Sequence, residues 1–145
     1  MKLTPAKSQD APALALILSD WIDETAWMPK IHTPQEDLRF LHHLIETQDV
    51  TVLRNATQPM GFMAQAGDTI HALYLRPPAR GMGYGAQFLD QAKSKAAQLD
   101  LWTFQANTGA RAFYAREGFV EVEETDGAGN DEKQPDVRLR WEQRA

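Results

Sequence analysis

One junction in the sequence constrains the fold more than any other: an apolar strand that passes into a glycine-rich loop and then into a helix. Thr69–Leu75 is apolar at nearly every position, which is typical of a strand in the middle of a sheet. Two prolines end this strand, and three alternating glycines lead into a pattern that predicts a helix from Gly83 to about Gln98. A buried strand followed by a loop and a helix indicates an α/β fold.

The spacing of apolar residues divides the rest of the chain into further strands and helices. The predicted strands are Lys2–Pro5, Val50–Arg54, Met60–Ala66, Thr69–Leu75, Leu99–Gln105, Phe119–Glu124 and Val137–Trp141. The other predicted helices run from Ser8 or Asp10 to about Trp21, from a capping box at Thr33 to about Thr47, and from Asn107 or Thr108 to Gly118. We therefore expect a mixed α/β sheet of about seven strands flanked by about four helices, in a single domain that spans residues 1–145.

The composition excludes several classes of protein. There is no cysteine among the 145 residues, so disulfides, thiolate-bound metals and thiol catalysis are excluded. The formal net charge of -5 favours neither nucleic acid nor an anionic membrane as a partner. The N-terminus lacks the apolar run of a signal peptide, and the longest apolar stretch, around Pro12–Leu18, is too short to span a bilayer. We therefore expect a cytoplasmic protein that binds neither nucleic acid nor a membrane.

The loop between Leu75 and Gly85 has the composition of a phosphate-binding loop. Its alternating glycines allow backbone N–H groups to turn toward one point, because no Cβ atom blocks them. The helix that follows adds free N–H donors and the positive end of its dipole, and Arg80 adds a cation. Such a loop is suited to a pyrophosphate. Three interpretations follow: a turn without a ligand, a dinucleotide site and a coenzyme A site.

The dinucleotide interpretation is supported by the motif but not by its setting. Gly81, Gly83 and Ala86 satisfy the pattern G-x-G-x-x-A. However, five residues separate Leu75 from Gly81, whereas the dinucleotide fingerprint turns immediately after its strand. The remaining C-terminal segment is also too short for the further strands of a doubly wound nucleotide domain. A simple turn has no need of three alternating glycines, so coenzyme A is the favoured ligand.

A second motif lies further along the chain. The residues from Asn107 to Phe119 read N-x-x-A-x-x-F-Y-x-x-x-G-F, and Arg80–Gly85 reads R/Q-x-x-G-x-G/A. Over about Ile70–Phe119, the two motifs resemble the GNAT superfamily of acetyl-CoA-dependent N-acetyltransferases. The predicted order of strands and helices is also similar to that fold.

This resemblance implies direct transfer of an acetyl group from acetyl-CoA to an amine, without a covalent enzyme intermediate. It implies that backbone N–H groups bind the pyrophosphate, while the pantetheine arm lies along the central strand in a slot where that strand and Leu99–Gln105 splay apart. A backbone N–H there would polarise the thioester carbonyl. Tyr114 matches the tyrosine that protonates the leaving thiolate. The implied cofactor-binding residues are Leu73, Tyr74, Leu75, Arg80, Gly81, Met82, Gly83, Tyr84, Gly85, Asn107 and Phe113.

His71 is the candidate for the group that takes the proton from the attacking amine. Many relatives carry a glutamate on the strand that corresponds to Thr69–Leu75, but this strand has no acidic residue. Histidine ordinarily titrates near neutral pH, as a base requires, and alternation predicts one face shared by Thr69, His71 and Leu73. In the alternative interpretation His71 points away from the slot and bonds a neighbouring strand or solvent.

The segment between the first two helices, Thr25–His32, is the candidate acceptor site. In GNAT proteins this connection overhangs the acceptor slot, so Trp27 and His32 are predicted to bind the substrate. Asp23 and Glu24 lie nearby and can attract a cationic amine. The alternative is that the apolar residues of this segment only form a plug beneath the loop.

The resemblance leaves two functions to be separated. The first is N-acetyl transfer from acetyl-CoA, as a co-substrate, to a primary amine of a small molecule or peptide. The second is a non-catalytic acyl-CoA sensor with the same fold. No set of residues has the spacing of a metal site, so no metal is expected. Homodimers are frequent in this fold, and the sequence leaves a homodimer open.

Overall fold

The computed structural model describes residues 1–144 and confirms the predicted α/β class. A single seven-stranded sheet has the order β1-β2-β3-β4-β5-β7-β6, and every neighbouring pair is antiparallel except β4 and β5. The strands are β1 Lys2–Pro5, β2 Asp49–Arg54, β3 Pro59–Ala66, β4 Thr69–Leu75, β5 Gln98–Phe104, β6 Val120–Thr125 and β7 Asp136–Glu142.

Four α-helices cover the sheet on its two faces. They are α1 Ala11–Glu24, α2 Pro34–Thr47, α3 Tyr84–Lys93 and α4 Thr108–Arg116, with short 3₁₀ turns at Ser8–Asp10 and Pro77–Ala79. The predicted capping box starts α2, where the Thr33 hydroxyl accepts from the Glu36 N–H and the Glu36 carboxylate accepts from the Thr33 N–H. None of the helices described for residues 1–144 has the length and hydrophobicity needed to span a bilayer.

The sheet separates two hydrophobic clusters. One lies under α3 and α4 and includes Phe88, Leu89 and Tyr114. The other lies under α1 and α2 and includes Leu14 and Leu41. Both helix layers therefore bury their apolar faces against the same sheet.

The predicted helix from Gly83 to about Gln98 is too long. The helix α3 ends at Lys93, where the Ser94 hydroxyl donates to the Gln91 carbonyl at 2.6 Å. The Ala97 carbonyl accepts from the Gln143 N–H at 2.8 Å, so the backbone there already extends the sheet. Pairing in the sheet thus ends the helix earlier than the helical spacing of Ala92 and Ala96 predicts.

The strands β4 and β5 diverge soon after they begin. They pair only at Thr69 with Asp100 and at Ile70 with Leu101, although each strand continues for several residues. Beyond that point the side chains of Leu73, Tyr74 and Leu75 are only half-buried. The sheet is therefore split at its centre, and backbone groups of β4 face an open wedge.

A β-bulge changes which face of the sheet the side chains of β4 lie on. Ala64 pairs with Ala72 and Gln65 pairs with Ile70, which leaves His71 as the extra residue. Ile70 consequently packs under α3 and α4, whereas Ala72 packs under α1 and α2. The prediction that alternation places Thr69, His71 and Leu73 on one face is wrong, because the bulge interrupts the alternation.

Candidate active site

The loop before α3 presents a run of backbone N–H groups without protein acceptors. The Ala79 and Arg80 N–H groups are bonded within the 3₁₀ turn, and the first bond of α3 runs from the Gln87 N–H to the Gly83 carbonyl. Among the described residues, no side chain caps this helix start. The N–H groups from Gly81 to Ala86 are therefore free to bind an anion, and the helix dipole favours one there.

Two of the three alternating glycines are required by the backbone of this loop. Gly81 has φ +70° and Gly83 has φ +88°, both in the left-handed region. A Cβ atom added at either position would meet no atom within 4 Å, so both face open space. Gly85 differs, because its Cβ would lie 2.9 Å from Cζ of Phe113. Gly85 therefore allows α3 to pack closely on α4.

The open space in front of the loop is a cavity of about 760 Å³, here called the loop cavity. Most of the residues with a predicted cofactor role line it. These are Leu73, Tyr74, Leu75, Arg80, Gly81, Gly83, Gly85, Asn107 and Phe113. The predicted catalytic residue Tyr114 lines it as well. Met82 and Tyr84 do not line it, since the Met82 side chain is 65% exposed and Tyr84 packs against the core.

The Arg80 side chain is already held by two acceptors of the protein. Its Nε donates to the Leu75 carbonyl at 2.9 Å, and its guanidinium forms an ion pair with Glu24 at the end of α1. Arg80 thus joins the glycine loop to the end of the first helix. A phosphate in the loop cavity would share this cation with Glu24.

The residue that caps α4 also faces the cavity. Asn107 Oδ1 accepts from the Ala110 N–H at 3.1 Å, which caps α4. Its amide nitrogen makes no hydrogen bond to the described residues and is free to donate to a ligand. One side chain thus both caps the helix and offers a donor to the cavity.

Tyr114 lies where the loop cavity meets the split in the sheet. Its side chain is 8% exposed and packs between Phe113 and Phe119, with ring centroids 5.1 and 5.5 Å away. Burial and the neighbouring Tyr74 raise the pKa of the Tyr114 phenol well above its usual value of 10.0. Tyr114 therefore stays protonated and able to donate near neutral pH.

A small cleft of about 110 Å³ occupies the wedge between β4 and β5, and we call it the central cleft. Tyr114, Asn107, Leu73 and Tyr74 line both the central cleft and the loop cavity, so the two spaces are continuous. Burial and the charge of Glu132 raise the pKa of Tyr74 to about 12. Two protonated phenols therefore flank the central cleft.

His71 lies on the wall of the central cleft, at the β4 bulge. Its Nδ1 is 3.0 Å from Oε1 of Gln48, which lies between α2 and β2. His71 also lines a third space, which lies beneath the connection between α1 and α2. Its side chain therefore lies between that space and the central cleft. The bond to Gln48 fixes the ring and leaves Nε2 as the nitrogen available to a substrate.

The third space is a cavity of about 500 Å³ beneath the connection between α1 and α2, here called the α1–α2 cavity. It shares Trp21, His71, Ala72, Tyr74 and Phe104 with the central cleft, so the two open into each other. His32 lines it, with Nδ1 3.7 Å from Oε2 of Glu36. The structure thus brings His32 and His71 to one cavity.

Trp27 does not line the α1–α2 cavity. Its ring packs edge-on against Phe104 with centroids 5.6 Å apart, and against Trp21 at 6.0 Å. This aromatic contact joins the segment after α1 to the end of β5, across the outer end of the split sheet. Trp27 also lines a separate space of about 480 Å³ together with Arg80 and Asn107, so its predicted contact with a substrate stays a prediction beside the alternative of an apolar plug.

Several other residues of the α1–α2 cavity were not predicted from the sequence. Asp37, Ser19 and Glu132 all line it, the first two on helices and the third in the loop before β7. A carboxylate in the first turn of a helix is common, because it interacts favourably with the helix dipole. The position of Asp37 at the start of α2 therefore did not predict that this side chain is buried. Within residues 1–144, no group of three acidic or histidine side chains is placed to hold a metal ion.

Comparison with protein families gives a match over the part of the chain that contains the glycine loop and α4. The model of the acetyltransferase (GNAT) domain matches residues 46–121, slightly more than half of the chain. The peptidyl-lysine N-acetyltransferase YjaB of Escherichia coli strain K12 is 37% identical over 62 residues, and that of Salmonella typhimurium is 36% identical over the same length. The matched segments span 43% of this chain and less than half the length of either relative.

Solved structures agree with the fold over nearly the whole chain. Apo YjaB of Escherichia coli superposes with a TM-score of 0.80 at 22% identity, over 99% of this chain and 98% of that chain. The yncA protein of Salmonella typhimurium, solved with its cofactor acetyl-CoA, superposes with a TM-score of 0.77 at 15% identity, over 100% and 95% of the two chains. With its glycine loop, split sheet and matching domain model, this chain belongs to the GNAT acetyltransferase family.

Proposed function

We propose that this protein transfers an acetyl group from acetyl-CoA directly to a primary amine. The observation that carries the proposal is the run of free backbone N–H groups from Gly81 to Ala86, which faces a cavity continuous with the central cleft. A pyrophosphate is the ligand that such a run accepts best. The solved neighbour that holds acetyl-CoA supports this choice of ligand.

The chain offers a distinct group for each part of acetyl-CoA. Gly81, Gly83 and the start of α3 would hold the pyrophosphate, and the amide of Asn107 would donate to the pantetheine arm. The unpaired backbone of Leu73–Leu75 would bond that arm as an added strand would. A backbone N–H of this segment, aimed at the thioester oxygen, would stabilise negative charge that develops there.

Two side chains would handle the protons of the reaction. Acetyl-CoA supplies a thioester whose carbonyl carbon bonds to the amine nitrogen, while its carbon–sulfur bond breaks. Tyr114 would donate a proton to the departing sulfur, since its phenol is protonated and lines the cleft. His71, through Nε2, would accept the proton that the amine loses, directly or through water. No enzyme group forms a bond to the acetyl carbon in this scheme.

The acceptor would enter from the α1–α2 cavity, on the opposite side of the central cleft from the loop cavity. Its walls come mainly from residues 18–40 and 131–132, outside the 46–121 range of the family match. The YjaB relatives act on peptidyl lysine, and a lysine side chain has the primary amine that the scheme requires. A lysine residue of a peptide is therefore the first acceptor to test. We expect the reaction to take place in the cytoplasm.

The test is release of free CoA from acetyl-CoA in the presence of lysine peptides and small amines. A thiol reagent reports CoA directly, because the protein has no cysteine to react with it. Amine-dependent release establishes the transferase. Tight binding of acetyl-CoA without release for any amine would favour an acyl-CoA sensor instead. Absence of acetyl-CoA binding would contradict the proposal at its first step.

A further inference from the structure

The α1–α2 cavity contains a buried carboxylate for which the scheme above has no role. Asp37 is 5% exposed, yet it lines this cavity. Its Oδ2 accepts from the Ser19 hydroxyl at 2.7 Å, whereas its Oδ1 accepts no hydrogen bond from the described residues. A polar side chain that is more than nine-tenths buried thus keeps one oxygen without a partner.

The Asp37 carboxylate takes part in none of the ion pairs of the described residues. No lysine, arginine or histidine nitrogen within residues 1–144 lies within 4.0 Å of the Asp37 carboxylate. The other described ion pairs involve residues 95 to 140 and acids at 49, 100 and 121–124. The Oδ1 atom keeps some exposed surface, so a cationic ligand in the cavity can reach it and donate a charge-assisted hydrogen bond to it.

Three basic side chains other than His71 also line the cavity, and none of them pairs with Asp37. Arg39 lines the cavity without a described ion pair, and its guanidinium is not within 4.0 Å of the Asp37 carboxylate. Lys30 lines the cavity, but its ammonium is bound to Asp23 at 2.9 Å. His32 is next to Glu36. The opposite wall carries Asp131 and Glu132, so further carboxylates face the same space.

Asp37 stands apart from the site of reaction. It lines the α1–α2 cavity but not the central cleft, whereas His71 and Tyr74 line both. The reacting nitrogen must reach the cleft, so a cation bound at Asp37 is a different group from the one that is acetylated.

We propose that Asp37 binds a second cationic group of the acceptor, and that the acceptor is therefore a primary amine with another cation a few bonds away. Diamines belong to this class, as does a lysine with a cationic neighbour. Ser19 is a positioning residue, because its hydroxyl holds one carboxylate oxygen and so turns the other toward the ligand. This inference rests on the proposed function for its choice of acceptor.

The test compares three series of compounds of equal chain length: α,ω-diamines, monoamines and ω-amino acids. With the wild-type protein we expect the best diamine to exceed its monoamine in kcat/KM by about 10- to 100-fold, the effect of one charge-assisted hydrogen bond in a buried site. Asp37→Asn should remove this preference by raising KM for the diamine. Its kcat/KM for the monoamine and its affinity for acetyl-CoA should be unchanged.

Two further variants separate binding from folding. Asp90→Asn makes the same chemical change on the exposed side of α3 and should keep the preference for diamines. Ser19→Ala keeps the carboxylate and should weaken the preference only in part. Equal use of diamine and monoamine by the wild-type protein, or an unchanged preference in Asp37→Asn, overturns the inference.

Calorimetry with the CoA-bound protein provides a readout that does not need turnover. The best diamine should bind the wild-type protein and lose about 10-fold or more in affinity in Asp37→Asn. No binding of any diamine, in a protein that does bind CoA, overturns the role of Asp37. Absence of acetyl transfer to every amine overturns the proposed function instead, so the two failures are distinguishable.

Discussion

The surroundings of the Tyr114 hydroxyl allow it to act only as a proton or hydrogen-bond donor. Aromatic rings surround it, and burial keeps its pKa too high for ionisation near neutral pH. Such a phenol can stabilise a sulfur anion by donating a proton toward it. It cannot serve as the base that activates the amine.

Tyr114→Phe should lower kcat by about 100-fold, because general acid catalysis typically contributes that much or more. The ring stays, so packing and the dissociation constant of acetyl-CoA should change little. Steady-state kinetics and calorimetry would measure the two effects. Tyr84→Phe is the matched control, since Tyr84 packs against the core and does not line the loop cavity. An unchanged kcat in Tyr114→Phe would remove this residue from the mechanism.

His71→Gln should lower kcat by at least about 10-fold and leave acetyl-CoA affinity unchanged, because the amide cannot take up a proton. The exposed His43→Gln on α2 is the control for loss of an imidazole. Amine acceptors that are largely unprotonated at the assay pH should be less affected than alkylamines. An equal loss for both kinds of acceptor would contradict a role in proton removal.

At the scale of elements, close packing between α3 and α4 forms one wall of the loop cavity. Gly85→Ala would place a Cβ atom 2.9 Å from Cζ of Phe113, so either the Phe113 ring must shift or the two helices must move apart. We expect a loss of about 1–3 kcal/mol in the free energy of unfolding, typical of overpacking, together with weaker acetyl-CoA binding. Thermal unfolding and calorimetry would measure the two effects.

Gly109→Ala is the control for this substitution. Gly109 lies in the first turn of α4, and a Cβ atom there meets nothing within 4 Å, so stability should be kept or slightly improved. Equal stability of the Gly85→Ala and Gly109→Ala proteins would show that the helices do not pack as closely as described.

A second contact between elements depends on pH. The Arg54 guanidinium on β2 donates to both oxygens of Asp10, at 2.8 and 2.6 Å, and its Nε donates to Thr4 on β1. The hydrogen bonds from Arg54 lower the pKa of Asp10 below its usual value. The pair therefore ties the start of α1 to the edge of the sheet.

Because the pKa of Asp10 is lowered on folding, its stabilising effect is present above the pKa of an unfolded aspartate, about 3.9. It is lost as the pH falls through the lower value of the folded state. Asp10→Asn should thus cost about 1–3 kcal/mol between pH 5 and pH 7 and progressively less toward pH 2. Denaturant unfolding at several pH values would measure this difference. A difference that grows as the pH falls would contradict the pairing.

The sequence predicted elements whose periodicity is uninterrupted and missed features that depend on pairing. All seven strands and four helices are present, and Gly118 has the left-handed φ of +93° expected after a helix. The bulge at His71 and the early end of α3 depend on hydrogen bonds to β3 and β7, which local sequence does not specify.

At the scale of the whole molecule, the split sheet borders two cavities, the loop cavity and the α1–α2 cavity. They differ in how many of their lining residues could be predicted from the sequence. The loop cavity is lined by motifs that are local in the sequence, such as Arg80–Gly85 and the cap at Asn107. The positions of these motifs could therefore be predicted. The α1–α2 cavity brings together residues from α1, α2, β4 and the loop before β7. Asp37 and Glu132 meet there only through tertiary packing, and no spacing in the sequence relates them.

Because β4 and β5 pair at only two positions, the two halves of the sheet are joined mainly through the helices and clusters on either face. A ligand that bonds β4 and lies against Asn107 and Tyr114 on the far wall would join these halves. Acetyl-CoA should therefore stabilise the entire fold and protect the β4 amides beyond Ile70 from hydrogen exchange.

Acetyl-CoA at about 100 times its dissociation constant adds about 2.7 kcal/mol by mass action, which for a domain of this size corresponds to a rise of about 5–10 °C in Tm. Thermal unfolding with and without the ligand would measure this shift, and NAD at equal concentration should give none. Gly83 has φ +88°, a backbone conformation that is strained for a residue with a Cβ atom. Gly83→Ala should therefore distort the run of backbone N–H groups from Gly81 to Ala86. The rise in Tm caused by acetyl-CoA should then be smaller at the same ligand concentration. A full shift in this variant would mean that the ligand binds away from the loop.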